Sequence, residues 1–191
     1  MDKRIIECVP NFSEGRNPQV IKEITDAIEA VEGIRLLDVD PGEATNRTVV
    51  TFVGEPEAVM EAALRGVKRA SELIDMSKHH GAHPRMGATD VCPLIPVSGV
   101  TLEECAEMAR ALAERISTEL GIPTFCYEAA AFTPARKYSK PSAKVYANSI
   151  SAVAPASCMW YPEIEMELNF GMFLEVYSKM SAMMRIENSG G

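Results

Sequence analysis

The feature that most constrains the fold of this chain is an alternation between short apolar runs and longer segments with helical periodicity. The apolar runs are rich in β-branched residues and lie between turn-forming residues, which is typical of β-strands. They occupy residues 4–9, 35–40, 48–53, 91–97 and 123–127. The rhythm predicts a sheet whose strands are separated by amphipathic helices.

Three helices are predicted from apolar positions at helical spacing and from the residues that begin and end them. Asn17 precedes Pro18 at the start of the first helix, and Gly33 follows its last apolar position. A second helix opens at Glu55 and Pro56 and has apolar residues at helical spacing as far as Ile74. The third begins with the capping-box pair Thr101 and Glu104 and ends at Gly121.

The predicted order of elements is β-α-β-β-α-β-α-β. Strands two and three are close in the sequence, so they should form a hairpin. We therefore expect an α+β fold with a mixed β-sheet and helices packed on one face, a sandwich of the ferredoxin-like type.

The character of the chain changes after residue 137. Residues 138–191 contain no Asp, six of the eleven Met residues and the single Trp, with weak helical periodicity. We interpret residues 1–137 as one domain and residues 138–191 as a divergent C-terminal extension. Residues beyond about 140 are expected to pack less well than the domain.

Charge and composition exclude several classes of protein. The formal net charge of −8 argues against a nucleic-acid partner and against an anionic membrane surface. Neither a secretory signal nor a membrane-spanning segment is visible, so we expect a cytoplasmic protein. The five cysteines are scattered and form no C-x-x-C pair, which is typical of small apolar residues under reducing conditions.

All three histidines fall within five residues, at His79, His80 and His83. Imidazole can take and return a proton near neutral pH, and the nearby Arg85 can bind a carboxylate. Gly87 allows the backbone to approach a ligand closely. Three interpretations remain open: solvated loop histidines, a metal site completed by a nearby aspartate, and a catalytic or substrate-binding loop.

Two further polar clusters follow predicted strands. The first contains Asn11, and the second contains Asp40, Asn46 and Arg47. Strand alternation places Asp38 and Asp40 on the same side of their strand. Each of these residues is also compatible with an ordinary exposed turn.

Several long strings in this chain resemble the glutamate formimidoyltransferase family, and they occur in the same order and at the same spacing. They are ECVPNFSEG at residues 7–15, LLDVD at 36–40, TNRT at 45–48, LIDM at 73–76, HPRMG at 83–87 and DVCPLIP at 90–96. The resemblance covers about residues 5–137, which correspond to the N-terminal subdomain of that family. It implies a layered α/β sandwich, in agreement with the predicted order of elements.

The resemblance implies transfer of a formimidoyl group from N-formimidoyl-glutamate to N5 of tetrahydrofolate, in histidine degradation and one-carbon metabolism. Tetrahydrofolate would be the acceptor substrate, with no metal involved. The family's catalytic histidine falls on His83, as general acid and base, and its assisting aspartate falls on Asp40. Asn11, Asn46, Arg47, Arg85 and Gly87 are our candidates for substrate binding. The family is dimeric, so a homodimer is expected.

The resemblance ends near residue 138, whereas the family has a second subdomain of similar size and binds folate in the groove between the two. The alternative is therefore a catalytically inactive half-domain that acts as a folate-binding or dimerisation module. A third hypothesis is an N-formyl-glutamate transferase, because formyl and formimidoyl groups differ only by O in place of NH.

Overall fold

The structure is a computed structural model that describes residues 3–82, 87–132 and 148–152. Three α-helices lie in the described part of the chain: α1 (Pro18–Glu29), α2 (Pro56–Leu73) and α3 (Leu102–Leu120). The strands of the same part are β1 (Ile5–Cys8), β2 (Asn11–Phe12), β3 (Arg35–Gly42), β4 (Arg47–Gly54), β5 (Thr89–Ser98), β6 (Thr124–Glu128) and β7 (Asn148–Ala152). None of the described helices is long and apolar enough to cross a membrane.

The sheet confirms the predicted α+β class. β1 and β2 lie in the middle, with β4 on one side and β5 on the other. β3 pairs with β4 at one edge, whereas β7 and then β6 lie beyond β5. The pairs among the described strands are antiparallel throughout.

Two strands were not predicted from the sequence. β2 continues the line of β1, because Cys8 lies opposite Phe52 and Asn11 lies opposite Val49 in one register. Pro10 separates the two, since proline has no N–H to donate to the ladder. β7, which follows residue 137 in the sequence, lies within the sheet between β5 and β6. The boundary at 137 and 138 itself lies outside the described residues and stays a prediction.

One face of the sheet is buried beneath the helices. Along β4 the side chains alternate between buried and half-buried, and Val50 and Phe52 are fully buried. β1 follows the same rule, with Ile6 and Cys8 buried. α2 packs against β1, β4 and β5, and its neighbours α1 and α3 complete the layer. The apolar stripes of the helices therefore meet the sheet on this side.

Local sequence signals place the helix ends. Asn17 accepts hydrogen bonds from the backbone N–H groups of Gln19 and Val20 at the start of α1. Thr101 and Glu104 form the predicted capping box at the start of α3. Gly121 ends α3 in the left-handed conformation, with φ of 67°.

Candidate functional site

The face of the sheet opposite the helices carries most of the predicted site residues that the structure describes. Asp40 on β3 lies opposite Val49 of β4, and Val49 in turn lies opposite Asn11 of β2. These three residues form one row across the sheet. Since neighbouring strands are about 4.8 Å apart, the backbones of Asp40 and Asn11 are separated by about 10 Å.

Asp40 and Asp38 share a side of β3, as the alternation predicted, because Val39 between them lies opposite the buried Val50. Leu37 is an extra residue in the pairing of β3 with β4. Asp40 itself is exposed. A carboxylate in this position is accessible to a ligand or to a side chain that approaches the open face.

Asn11 is almost completely buried, with 3% of its surface exposed. Its Nδ2 donates a hydrogen bond to the carbonyl oxygen of Val9 at 3.1 Å. Within the described residues its Oδ1 accepts no hydrogen bond. A buried amide oxygen without a donor costs about 1–3 kcal/mol, so Oδ1 of Asn11 is an unsatisfied acceptor at this site.

A bulge in β5 brings Asp90 next to Arg47. Asn11 pairs with Val91 and Phe12 pairs with Thr89, which leaves Asp90 as the extra residue. The Asp90 carboxylate is buried, and its Oδ2 lies 3.9 Å from Nη1 of Arg47. The Arg47 side chain is itself 15% exposed. The Arg47 guanidinium is therefore a largely desolvated cation at the site, and the Asp90 carboxylate partly neutralises its charge.

Asn46 is engaged by the protein at both ends of its amide. Its Oδ1 accepts a hydrogen bond from the backbone N–H of Gly15 at 2.9 Å, and its Nδ2 donates to the carbonyl oxygen of His80 at 3.1 Å. The residue has a positive φ of 50°, a conformation in which asparagine is enriched. It therefore connects three loops that are far apart in the sequence.

The loop that carries the histidines is described at its two ends. His83 and Arg85 lie outside the described residues, so their predicted roles stay predictions. His80 is exposed and His79 is half-buried. The loop follows a 3-10 turn (Met76–Lys78), in which the side chain of Asp75 accepts a hydrogen bond from the backbone N–H of Ser77.

Gly87 is buried at the far end of the histidine loop, where its carbonyl oxygen accepts a 2.7 Å hydrogen bond from Oγ of Ser13. It also lines a cavity of about 440 Å³ next to the end of α2. Thr89 lines the same cavity, and its buried Oγ1 has no hydrogen-bond partner among the described residues.

Two residues of this region were not predicted as catalytic or substrate-binding residues, and Asp90 was considered only as an aspartate that could complete a metal site. Asp90 follows a polar loop directly, and its pairing with Arg47 depends on the bulge in β5. Ser13 lies in a conspicuous polar string, but its partner Gly87 is 74 residues away. Among residues 3–82 and 87–132, no three His, Cys, Asp or Glu side chains are grouped as a metal site requires.

The sequence matches the family described as "Formiminotransferase domain, N-terminal subdomain" over residues 5–163. The mouse (Mus musculus) formimidoyltransferase-cyclodeaminase is 58% identical over 134 residues, which are 70% of this chain and 25% of the mouse protein. The glutamate formimidoyltransferase of Streptococcus pyogenes serotype M1 is 51% identical over 134 residues, or 70% of this chain and 45% of that protein.

A more distant relative shows the same pattern. The glutamate formimidoyltransferase of Thermoplasma acidophilum is 46% identical over 132 residues, which are 69% of this chain and 44% of the relative. The part of each relative that this chain matches is thus 25% to 45% of that relative's length. The family match itself covers most of the chain and includes both strands and loops of the site. By its sequence, the chain belongs to the family of the N-terminal subdomain of the formiminotransferase domain.

Proposed function

We propose that this chain takes part in the transfer of a formimidoyl group from N-formimidoyl-glutamate to N5 of tetrahydrofolate. The observation that carries the proposal is the combination, at one end of the sheet, of a buried acceptor oxygen on Asn11 with the Arg47–Asp90 pair. Membership of the family supports the same chemistry. Tetrahydrofolate and N-formimidoyl-glutamate are the substrates in this proposal.

His83 is the proposed general acid and base. A bond forms between N5 of the folate and the formimidoyl carbon, and N5 loses its proton to the imidazole. The bond between that carbon and the glutamate nitrogen then breaks, and the imidazolium returns the proton to the departing amine. General acid–base catalysis of this kind contributes about 10²–10⁴ in rate.

The remaining residues have supporting roles in this proposal. Asp40 would orient the imidazole and stabilise its charged form. Arg47 and Arg85 would bind substrate carboxylates, with Asp90 keeping Arg47 in place. Asn11 would accept a hydrogen bond from an N–H group of the folate or of the donor.

The experiment is an assay of the purified full chain with tetrahydrofolate and either N-formimidoyl-glutamate or N-formyl-glutamate. We expect turnover with the formimidoyl donor. His83→Ala should lower kcat by about 10²-fold or more. His79→Ala and His80→Ala are matched controls in the same loop and should keep most of the activity. Activity that survives His83→Ala unchanged would remove this residue from the mechanism.

Asp40 has an equally close control. Asp40→Asn should lower kcat, because a neutral amide stabilises an imidazolium less well than a carboxylate does. Asp38→Asn changes the same charge on the same face of β3, two residues away. Equal effects of the two substitutions would contradict a specific role for Asp40.

A second candidate function is a non-catalytic module that binds folate or forms dimers. The residues aligned to the mouse protein are 25% of that protein's length, so binding and turnover are measured separately. Calorimetric titration of tetrahydrofolate into the full chain distinguishes the two. Binding without turnover of either donor would support the module, whereas turnover would support the enzyme. Sedimentation velocity of the same sample tests the proposed homodimer.

A further inference from the structure

The two ends of the histidine loop are each held by a neighbouring loop. At the first end, Nδ2 of Asn46 donates to the carbonyl oxygen of His80, and the N–H of Ala82 donates to the carbonyl oxygen of Ala44 at 3.4 Å. The β3–β4 turn, residues 43–46, therefore holds the chain just before His83.

The second end is held by the loop that follows β2. Oγ of Ser13 donates to the carbonyl oxygen of Gly87 at 2.7 Å, and the N–H of Ser13 donates to the carbonyl oxygen of Ala88 at 2.8 Å. Ser13 has 1% of its surface exposed, and Gly87 is buried. These bonds are shielded from water, so they are not easily exchanged for bonds to solvent.

The two holding loops are also fixed to each other. The N–H of Gly15 donates to Oδ1 of Asn46, and Oγ1 of Thr48 donates to the carbonyl oxygen of Glu14. A Cβ at Gly15 would lie 2.5 Å from the backbone N of Arg47, so the two backbones are in direct contact. Both ends of the histidine loop are thus attached to two loops that are hydrogen-bonded to each other.

We propose that Ser13 and Asn46 are positioning residues, which fix the two ends of the loop that carries His83. Asn46 was a candidate for substrate binding, but both ends of its amide are already bonded to backbone groups. In this proposal it therefore acts by holding the loop and does not bind substrate directly. The inference rests on the proposed function, in that a fixed loop matters for catalysis only if His83 acts in the reaction.

The physical reason is the geometric demand of proton transfer. A general base must lie within hydrogen-bond reach of the proton that it removes. A misplacement of about 1 Å can lower a rate about 10²-fold. Loosening one end of the loop should therefore lower kcat more than it raises KM, because Asn11 and Arg47 on the sheet stay in place and, of the binding residues in the proposed function, only Arg85 is carried by the loop.

Four variants of the full chain separate the two attachments. Ser13→Ala removes the bond to Gly87, and Ser13→Thr keeps a hydroxyl as the rescue. Asn46→Gly removes both side-chain bonds but suits the positive φ of 50°. Asn46→Asp keeps the acceptor for the N–H of Gly15 and loses the donor to His80. Thr101→Ala, in the distant cap of α3, is a control for general loss of stability.

Amide hydrogen exchange measured by NMR is the first readout, and it requires no activity. Asn46→Gly should accelerate exchange at Gly15 and Ala82 at least about tenfold, whereas Asn46→Asp should do so at Ala82 alone. Ser13→Ala should accelerate exchange at residue 13, and Ser13→Thr should restore it. Thr101→Ala should accelerate exchange at these amides by no more than about fivefold, which is the most that its general loss of stability allows. Unchanged exchange in the Ser13 and Asn46 variants would overturn the proposal.

Steady-state kinetics is the second readout. Ser13→Ala and Asn46→Asp should lower kcat at least about tenfold and raise KM by a smaller factor, and Ser13→Thr should recover most of the loss of kcat. A loss of kcat no larger than that of Thr101→Ala would overturn the positioning role. If the wild-type chain shows no turnover, the proposed function fails, and the exchange rates alone decide whether the two residues hold the loop.

Discussion

At the scale of single residues, the buried cysteines show how position controls chemistry. Cys8, Cys92, Cys105 and Cys126 are all buried, as the sequence interpretation of small apolar residues expected. The Sγ atoms of Cys8 and Cys92 are 3.6 Å apart on adjacent strands. Burial, followed by the hydrogen bond with Cys92, raises the pKa of Cys8 well above its usual value. The thiolate, which is the reactive form, is therefore disfavoured.

Cys8 is consequently predicted to resist alkylation in the native protein. Treatment with iodoacetamide at pH 8 should leave the peptide containing Cys8 unmodified for hours, whereas the same peptide should be fully modified in guanidinium chloride. Mass spectrometry of the digested protein measures both. Rapid native modification of Cys8, at a rate near that of free glutathione, would contradict the buried position.

At the scale of secondary-structure elements, α3 depends on its capping box. Oγ1 of Thr101 accepts a hydrogen bond from the N–H of Glu104 at 3.2 Å, and Oε2 of Glu104 accepts one from the N–H of Thr101 at 2.8 Å. Both N–H groups lack partners within the helix, so the box satisfies them.

Thr101→Ala is predicted to lower the free energy of unfolding by about 1 kcal/mol. Thr101→Ser retains the hydroxyl and should cost only a few tenths of that value. Urea denaturation followed by circular dichroism measures both variants. Equal losses for the two substitutions would indicate that the hydroxyl does not cap the helix.

The contact between α1 and α2 depends on a glycine. A Cβ at Gly66 of α2 would lie 3.0 Å from Cγ1 of Ile28 on α1 and 3.3 Å from Cζ of Phe12. Ile28 and Phe12 are both in the buried core and cannot easily move aside. Alanine is the better helix former by about 1 kcal/mol, whereas overpacking of a core costs about 1–3 kcal/mol.

Gly66→Ala is therefore predicted to destabilise the protein by about 1 kcal/mol despite the gain in helix propensity. A double-mutant cycle with Ile28→Ala tests the cause. In the Ile28→Ala background the same glycine substitution should become neutral or stabilising, because the crowded side chain has been removed. An identical cost in both backgrounds would place the strain elsewhere.

At the scale of the whole molecule, carboxyl groups on the surface determine the response to acid. Among the described residues, four carboxyl groups have pKa values below their usual range: Glu23, Glu61, Asp75 and Glu104. The hydrogen bond from Lys78 and those from Ser77 lower the pKa of Asp75 to about 2. Burial raises the pKa of Glu128, so this group acts in the opposite direction.

A carboxyl whose pKa is lower in the folded state stabilises the protein above its unfolded pKa, and this contribution is lost as the pH falls through the folded value. With usual values of 4.5 for Glu and 3.8 for Asp, the loss should begin below about pH 4.5 and continue to about pH 2. Protonation of Glu128 favours the folded state, but this one group offsets only part of the loss of stability.

The midpoint of urea denaturation is therefore predicted to stay nearly constant between pH 8 and 5 and to fall between pH 4.5 and 2. Added salt should reduce the fall, because these pairs are largely exposed. Urea denaturation followed by far-ultraviolet circular dichroism at several pH values measures the midpoint. A midpoint that rises as the pH is lowered from 4.5 would contradict the direction of these shifts.

Much of this fold follows from local patterns in the sequence. Pro18 and Thr101 lie where the predicted helices begin, and Gly121 ends α3 as expected. α1 ends earlier than predicted, at Glu29, four residues before Gly33. The α+β class and the hairpin of β3 and β4 were also predicted, since both depend on periodicity and on turns between neighbouring elements. The family was recognised from strings of consecutive residues, which need no tertiary structure.

The sequence by itself determined most of the elements, the α+β class and the family, because each of these depends on residues that are close together along the chain. Only the tertiary structure decided which polar groups meet. The bulge at Asp90 directs that side chain to Arg47, and Ser13 meets Gly87 across 74 residues. Such contacts depend on strand register and on how loops pack at the end of the sheet. No local pattern encodes them, since a shift of one residue in register would separate the same partners.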